Sequence, residues 1–590
     1  MTRLWLIGSV IFGGGFTVGV SWALGALVLR RLRLDFHRGE HALFAFVTGS
    51  ACLSLATFVL CLVHQARWQV FLGGGVGILV WAGWEGRRDA SRRELPAMPR
   101  AWKILFLVIF AAFFACYFSN ALAPEISPDG SSYHLGNVAR YWRLQGFAWD
   151  FHSLYSSLSQ GMEMLFLVAF CFGRHPAAAM VHLVFQAALP LLMVCYGRRF
   201  GVARAGAFAA LLVYACPVAG IAGISAYNDL TVATLLFAGF YLLQVNTENY
   251  SVNTLFLIGI FAGFAYAVKY TAGLALPLAV LLTKGRRILP LAAGAALMAG
   301  PWLLRNWIWL GNPVAPFLNA WFPNPYWSAV AEHQYLAGLS QYSMVKSFSD
   351  FIMQITVLGG LVPGMIGPAF LLLPLSLLAL RHPQGRRLLL AGLVYAIPAC
   401  FNTEIRFLIP ALPFLALALG LAMANSWGAL PAVAILQSLL CWPAILDTYC
   451  DRNAWRVRGF QVRAALRLEP ESEYISSHVG DYALKPLIEK EVRPRDRIFS
   501  FAGRAAAYLD RDIVVGYESS QGMLIQEALQ HAAAAGSGQR AAAMKAKSLG
   551  TGYLLVDSAD GVAEDMKNHT SNWGLSKVAE VNGTTLYRID

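Results

Sequence analysis

The sequence predicts an all-α polytopic transmembrane bundle of about 14 membrane helices, followed by an extracytoplasmic α/β domain at the C-terminus. Three observations predict it. Hydrophobic residues fill 57% of the 590 positions and charged residues only 13%, against roughly 25% charge in a soluble domain. Apolar stretches approaching the about 20 residues that cross about 30 Å of hydrocarbon recur as far as residue 446. From residue 447 onward the composition returns to that of a soluble chain.

The apolar stretches are 4–29, 42–63, 68–84, 102–121, 177–196, 205–223, 230–243, 254–270, 272–282, 288–304, 364–380, 388–401, 407–424 and 428–446. The first is too long for the core of a cleaved signal peptide and has only Arg3 before it, so it is expected to remain as a helix. The formal charge of +13 is explained by orientation, not by nucleic acid. Arg30, Arg31, Arg33 and Arg38 follow the first stretch; Arg87, Arg88, Arg92, Arg93, Arg100 and Lys103 follow the third. Arg198, Arg199 and Arg204 follow the fifth, Lys284, Arg286 and Arg287 the ninth, and Arg381, Arg386 and Arg387 the eleventh. Every cluster follows an odd-numbered stretch. The positive-inside rule then puts these loops in the cytoplasm and both termini outside; a bacterial cytoplasmic (inner) membrane is the expected location. The nine cysteines lie mostly within apolar stretches and form no CxxC spacing, so neither a disulfide framework nor a zinc site is expected.

Three parts follow: additional N-terminal helices with a basic linker, 1–101; a transmembrane module, 102–446, with outer loops 124–176 and 306–363; and the α/β domain, 447–590. Aromatic residues in the outer loops, among them Tyr141, Trp142, Phe147, Trp149, Phe151 and Tyr155, then Trp307, Trp309, Trp321, Tyr326 and Trp327, suit a headgroup-level belt. The apolar run 162–172 is too short to span and is expected at the interface. In the last part, 498–501, 513–515 and 553–556 read as strands and 521–549 as helical. Asn582-Gly583 between 578–581 and 584–589 reads as a hairpin with a type I′ turn. Glycines at 13–15 and 73–75, with Gly15 and Gly19 four apart, read as helix-packing sites.

Chemistry concentrates after the fourth stretch, in Ser127-Pro128-Asp129-Gly130-Ser131-Ser132-Tyr133-His134. Ser127 before Pro128 marks a helix start. Helical spacing puts Asp129, Tyr133, Asn137, Arg140 and Tyr141 on one strip, with His134 at its edge. The bland reading is that Asp129 merely favours the positive helix end. Asp229, Lys269, Arg305, Glu404 and Arg406 also fall near the outer ends of stretches. Singly, such cations snorkel; together, on one side, they could hold an anionic lipid head beside Asp129 and Asp229. Glu163 and His182 read as paired structural groups.

These residues resemble the GT-C superfamily of membrane glycosyltransferases, which includes lipid A aminoarabinose transferases and protein O-mannosyltransferases. The resemblance rests on Pro128-Asp129 through Tyr133-His134-Leu135 with Arg140 and Trp142, on Tyr227-Asn228-Asp229-Leu230, and on Val268-Lys269-Tyr270-Thr271-Ala272. Arg305-Asn306-Trp307 with Gly311-Asn312-Pro313, and Arg406-Phe407-Leu408-Ile409-Pro410, complete it, so that it runs from about Trp102 to Asp590. It implies transfer of a sugar from a polyprenyl-phosphate donor to a hydroxyl of a glycan, lipid or protein on the outer face, by an inverting single displacement. Asp129 would be the catalytic base. Arg305, Lys269 and Arg406 would hold the donor phosphate, and Tyr133, His134, Arg140 and Asp229 would bind substrate. Some members bind a divalent cation at the first-loop acid, for which Asp129, His134 and Asp229 are the candidates here. The alternative for such a chain is a polytopic transporter or lipid flippase without transferase activity, though its charges lie near one face and not at the midplane.

Overall fold

The computed structural model describes all residues except 1, 87–92, 150, 152, 246, 248, 286, 341–346, 403 and 427. The expected cytoplasmic Arg87, Arg88, Arg92 and Arg286 lie outside the described residues. The chain divides into two compact units, each built from three separate segments. The first holds Met1–Ala123, Ser159–Pro301 and Gly338–Leu466; the second holds Pro124–Leu158, Trp302–Ala337 and Arg467–Asp590.

The first unit is helical because a backbone in hydrocarbon must satisfy its own hydrogen bonds. Among the described residues six helices are long and apolar enough to cross a membrane: Arg3–Leu32, Arg38–Leu62, Arg100–Leu122, Gly161–Arg199, Ile288–Leu310 and Ile405–Ala422. A pair bent by 66°, Ala203–Tyr214 with Pro217–Ile224, makes a seventh if counted as one span. The chain is therefore a multi-pass membrane protein. The other apolar stretches are also helical: Trp68–Gly86 runs 19 residues but is rich in glycine and bounded by tryptophans, and the rest are shorter.

The run 162–172 forms the first of two helices that make up Gly161–Arg199, joined at a kink where Arg174, two residues before Pro176, has non-helical φ and ψ. Met162, Met164, Leu165, Phe166 and Leu167 are fully buried. Arg3–Leu32 packs against Arg38–Leu62 and Gly161–Arg199. The tightest crossing is at Gly25 and Gly49: a Cβ on either would run into the other helix's backbone, at Ala45 and Ser21 respectively. Of the expected packing glycines, Gly13, Gly14 and Gly75 meet neighbours while Gly15, Gly73 and Gly74 face open space.

The second unit carries a five-stranded sheet. Its strands are β1 (Arg497–Ser500), β2 (Ile513–Val515), β3 (Thr551–Asp557), β4 (Leu575–Val581) and β5 (Thr584–Ile589), in the order β2-β1-β3-β5-β4. β1 pairs in parallel with β2 and β3, and the β3–β5–β4 side is antiparallel. Asn582 and Gly583 both have positive φ, as a type I′ turn requires. Helices Ser520–Ala535 and Gln539–Ser548, separated at Gly536, cover a core of Phe499, Val514, Ile525, Leu554 and Trp573. The loop aromatics split into two sets. Trp149, Trp307 and Trp321 are exposed as a surface belt would be. Tyr141, Phe147, Phe151 and Trp327 are instead buried, Trp327 against Leu154 and Ala331.

Candidate active site

The site residues of the second unit start from a helix entrance. The Ser127 N–H is held by Glu125 Oε1 at 2.7 Å, and the helix begins at Pro128. Its next turn, Gly130–His134, is π-helical before the regular helix Leu135–Leu144. Such a wide turn inserts extra residues into the repeat, a feature frequent at functional sites. It leaves Tyr133 over Asp129, whose Oδ2 accepts the phenol O–H at 2.9 Å. Tyr133 also stacks on Tyr155 with ring centroids 3.8 Å apart.

Beyond Tyr133 opens a cleft of about 560 Å³, its mouth included, which runs along edge strand β2. Tyr133, Asn137, Arg140 and Arg143 line one side; Arg511, Asp512 and Glu518 line the other. The expected strip thus holds for Tyr133, Asn137 and Arg140, while Tyr141 is buried against Phe147. His134 is 4% exposed, packed on Tyr133, and outside the lining. Asn137 Oδ1 accepts from the Ser156 hydroxyl at 2.8 Å. Arg140 faces Asp512 at 3.6 Å and Arg143 faces Asp510 at 3.4 Å.

Glu518 escaped the sequence reading. It is buried, and burial, reinforced by the nearby Asp129 charge, pushes its carboxyl up to about 7 against an opposing hydrogen bond from Ser153. Its one sequence signal is position: it follows parallel strand β2 just before the helix that Ser519 caps, and loops at the ends of parallel strands commonly bind ligands.

Arg305 belongs to this unit but not to the cleft lining. It is 3% exposed, and its Nη2 donates to the carbonyls of Ser156, Ser157 and Leu158 at 3.1, 3.3 and 3.1 Å. Asn306 joins it, donating to the Ser157 carbonyl at 2.6 Å. The rings of Trp302, Phe147, Phe151 and Trp309 surround the guanidinium, with centroids at 4.8 to 5.9 Å. This is the surround of a cation that ties a loop together.

In the first unit, three of the expected residues come together. Asp229, the first residue of helix Asp229–Gln244, accepts from Lys269 Nζ at 2.6 Å. Lys269 follows helix Val252–Val268 in an extended conformation, and its ammonium sits 4.3 Å from the centre of the Phe407 ring. Arg406 lies over Tyr227 at 5.3 Å, pairs with Glu404 at 2.5 Å, and is within electrostatic reach of Asp229. His182, read from sequence as structural, is buried with Nδ1 at 2.8 Å from the Ser225 carbonyl and also feels the Asp229 charge. Among the described residues no three His, Cys, Asp or Glu side chains gather as a metal site needs. Of the candidates for a divalent cation, Asp129 and His134 lie in the second unit and Asp229 in the first.

No family model matches the sequence, and no curated protein matches it. Solved structures do. The crystal structure of ArnT from Cupriavidus metallidurans bound to undecaprenyl phosphate superposes with a TM-score of 0.50 at 14% identity, covering 84% of this chain and 99% of that one. The apo state of the same protein gives 0.48 at 13% identity, covering 83% and 98%. The likeness carries the fold: this chain has an ArnT-like fold.

Proposed function

We propose that the chain is a glycosyltransferase that moves a sugar from a polyprenyl-phosphate donor to a hydroxyl acceptor at the outer face of the cytoplasmic membrane. The observation that carries this reading is Asp129, held by Tyr133 beside a polar cleft, in a chain whose fold matches a transferase solved with undecaprenyl phosphate. The transporter or flippase alternative has no comparable support.

In the proposed reaction Asp129 takes the proton of the acceptor hydroxyl as its oxygen attacks the anomeric carbon from the face opposite the phosphate. The bond to the phosphate oxygen breaks, and the anomeric carbon is inverted. A phosphate leaves as an already stabilised anion, so one carboxylate base and cationic stabilisation suffice, where a glycosidase also needs an acid for its alkoxide. Tyr133 fixes the carboxylate that does this.

Lys269 and Arg406 are the proposed donor-phosphate cations. Asp229 and Glu404 hold them apart and oriented until the phosphate arrives. For Arg305 the role proposed is holding the 156–158 turn in place of the phosphate, a reading supported by Nη2 donating to three main-chain carbonyls and Nε to Asn306 Oδ1.

Asp129→Asn tests the reading. The variant should insert normally and still bind undecaprenyl phosphate, yet transfer no sugar from the membrane's lipid-linked donors. Mass spectrometry of envelope glycans with and without the protein reads the product. Transfer that survives the substitution removes Asp129 as the base.

A further inference from the structure

Composition turns soluble at residue 447, yet contacts keep the chain in the first unit as far as Leu466. The short helix Pro443–Leu446 ends there and the chain folds into a tight turn. Asp451 Oδ1 accepts from the Asn453 N–H at 2.7 Å, a side chain closing its own turn two residues on. The buried Arg456 donates from Nε to Cys450 Sγ at 2.8 Å and pairs with Asp447 at 2.5 Å. Leu446, Cys450 and Ala454 pack with Met365, and the Asp451 N–H donates to the Leu358 carbonyl at 2.9 Å. Residues 447–456 are thus pinned within the first unit at several points.

This turn carries Trp455. Its ring stacks on Tyr227, with centroids 5.7 Å apart and planes inclined by 24°. Tyr227 is buried, and its ring centre lies 5.3 Å from the Arg406 guanidinium, one of the two cations proposed for the donor phosphate. A guanidinium grips phosphate through two parallel N–H groups, so its plane matters as well as its charge. Glu404 approaches that plane at Nε, and the Tyr227 ring lies against it. Stacking on the indole limits how far the Tyr227 ring can tilt, and a ring that keeps its tilt orients the cation resting on it.

We propose that Trp455 is a positioning residue for the donor phosphate, acting through Tyr227 to hold Arg406 in the plane that phosphate contact needs. This rests on reading Arg406 as a phosphate cation.

The test measures undecaprenyl-phosphate affinity by calorimetry on the purified full-length protein in detergent, with the melting temperature followed in parallel. Trp455→Leu removes the ring and should weaken binding about fivefold, within the range of one aromatic contact. Trp455→Phe keeps a flat ring and should stay within about twofold of the parent. In the Arg406→Ala background, Trp455→Leu should change affinity no further, because a residue that acts through Arg406 has nothing left to act on. Trp455→Met serves in its place should leucine prevent folding.

Unchanged affinity in Trp455→Leu overturns the proposal, as does equal weakening by leucine and phenylalanine. A loss of the same size with and without Arg406 also overturns it, since Trp455 would then touch the lipid itself or damage the unit at large. If Arg406→Ala alone leaves affinity unchanged, the phosphate reading of Arg406 falls. If Arg406→Ala weakens binding while Trp455→Leu does not, only the positioning role falls.

Discussion

Glu518 makes the folded protein pH-sensitive in a direction that follows from its burial. Its carboxyl titrates near 7 in the folded chain against an ordinary 4.5. Between those values the folded protein holds a proton that the unfolded chain has released, so stability is full below the lower value and is lost as pH rises through the upper one. The loss is of the order of 3 kcal/mol at 1.36 kcal/mol per pKa unit. Glu518→Gln stays neutral throughout and should escape it. The melting temperature of the variant, less that of the parent, should therefore grow from about pH 5 to about pH 8. A difference that does not change with pH would mean that Glu518 titrates as an ordinary surface acid. Tyr133→Phe offers a milder test at the same site. It removes one hydrogen bond to Asp129, about 1–2 kcal/mol, and should slow transfer about tenfold while leaving donor binding unchanged.

Among the elements, the turn at 156–158 separates two roles that a buried arginine can play. Arg305 gathers three carbonyls on Nη2 and also donates from Nε and Nη2 to Asn306 Oδ1, with its plane among four rings, a combination that a lysine's single ammonium does not reproduce. Arg305→Lys should therefore cost about 1–3 kcal/mol, from a buried acceptor left unpaired, and loosen Ser156 beside the cleft. Thermal melting and proteolysis near residue 156 would register it. Undecaprenyl-phosphate affinity should hardly move, whereas Lys269→Ala and Arg406→Ala should each lower it about tenfold or more. If Arg305→Lys abolished lipid binding in a protein of unchanged melting temperature, the phosphate role would return to Arg305. The same scale shows what local sequence can display. Apolar length located the six helices long enough to cross a membrane, and Asn582-Gly583 located the hairpin, because those signals are written within the segment itself. The kink at Arg174, the π turn after Asp129 and the close crossing at Gly25 and Gly49 were not visible. Each is decided by what lies across from the segment, and neither periodicity nor composition records that.

At the scale of the whole molecule, the sequence reading placed a soluble domain after residue 446, where composition changes, while contacts begin the last segment of the second unit at Arg467. They also gather Pro124–Leu158 and Trp302–Ala337 into that unit. No composition shift could reveal this, because the partners are over a hundred residues apart in the chain. Tyr508 donates to the Glu125 carbonyl, and Met523 packs against Leu154 and Trp327. The cleft shows the same dependence: the helix that begins at Pro128 gives Tyr133 and Asn137, and the C-terminal segment gives Glu518. The sheet core, by contrast, draws only on residues from Phe499 to Ile589. A fragment of residues 467–590 should therefore keep its core but lose the covering of edge strand β2 and of Met523. Trp573 is its sole tryptophan and fully buried, so its emission should remain blue-shifted. The uncovered edge and apolar surface should drive the fragment to associate, which size-exclusion chromatography would detect as concentration-dependent oligomers. A red-shifted emission would mean that the two loop segments are needed for the sheet to fold at all. A blue-shifted, strictly monomeric fragment would mean that their contacts position the cleft without protecting the sheet.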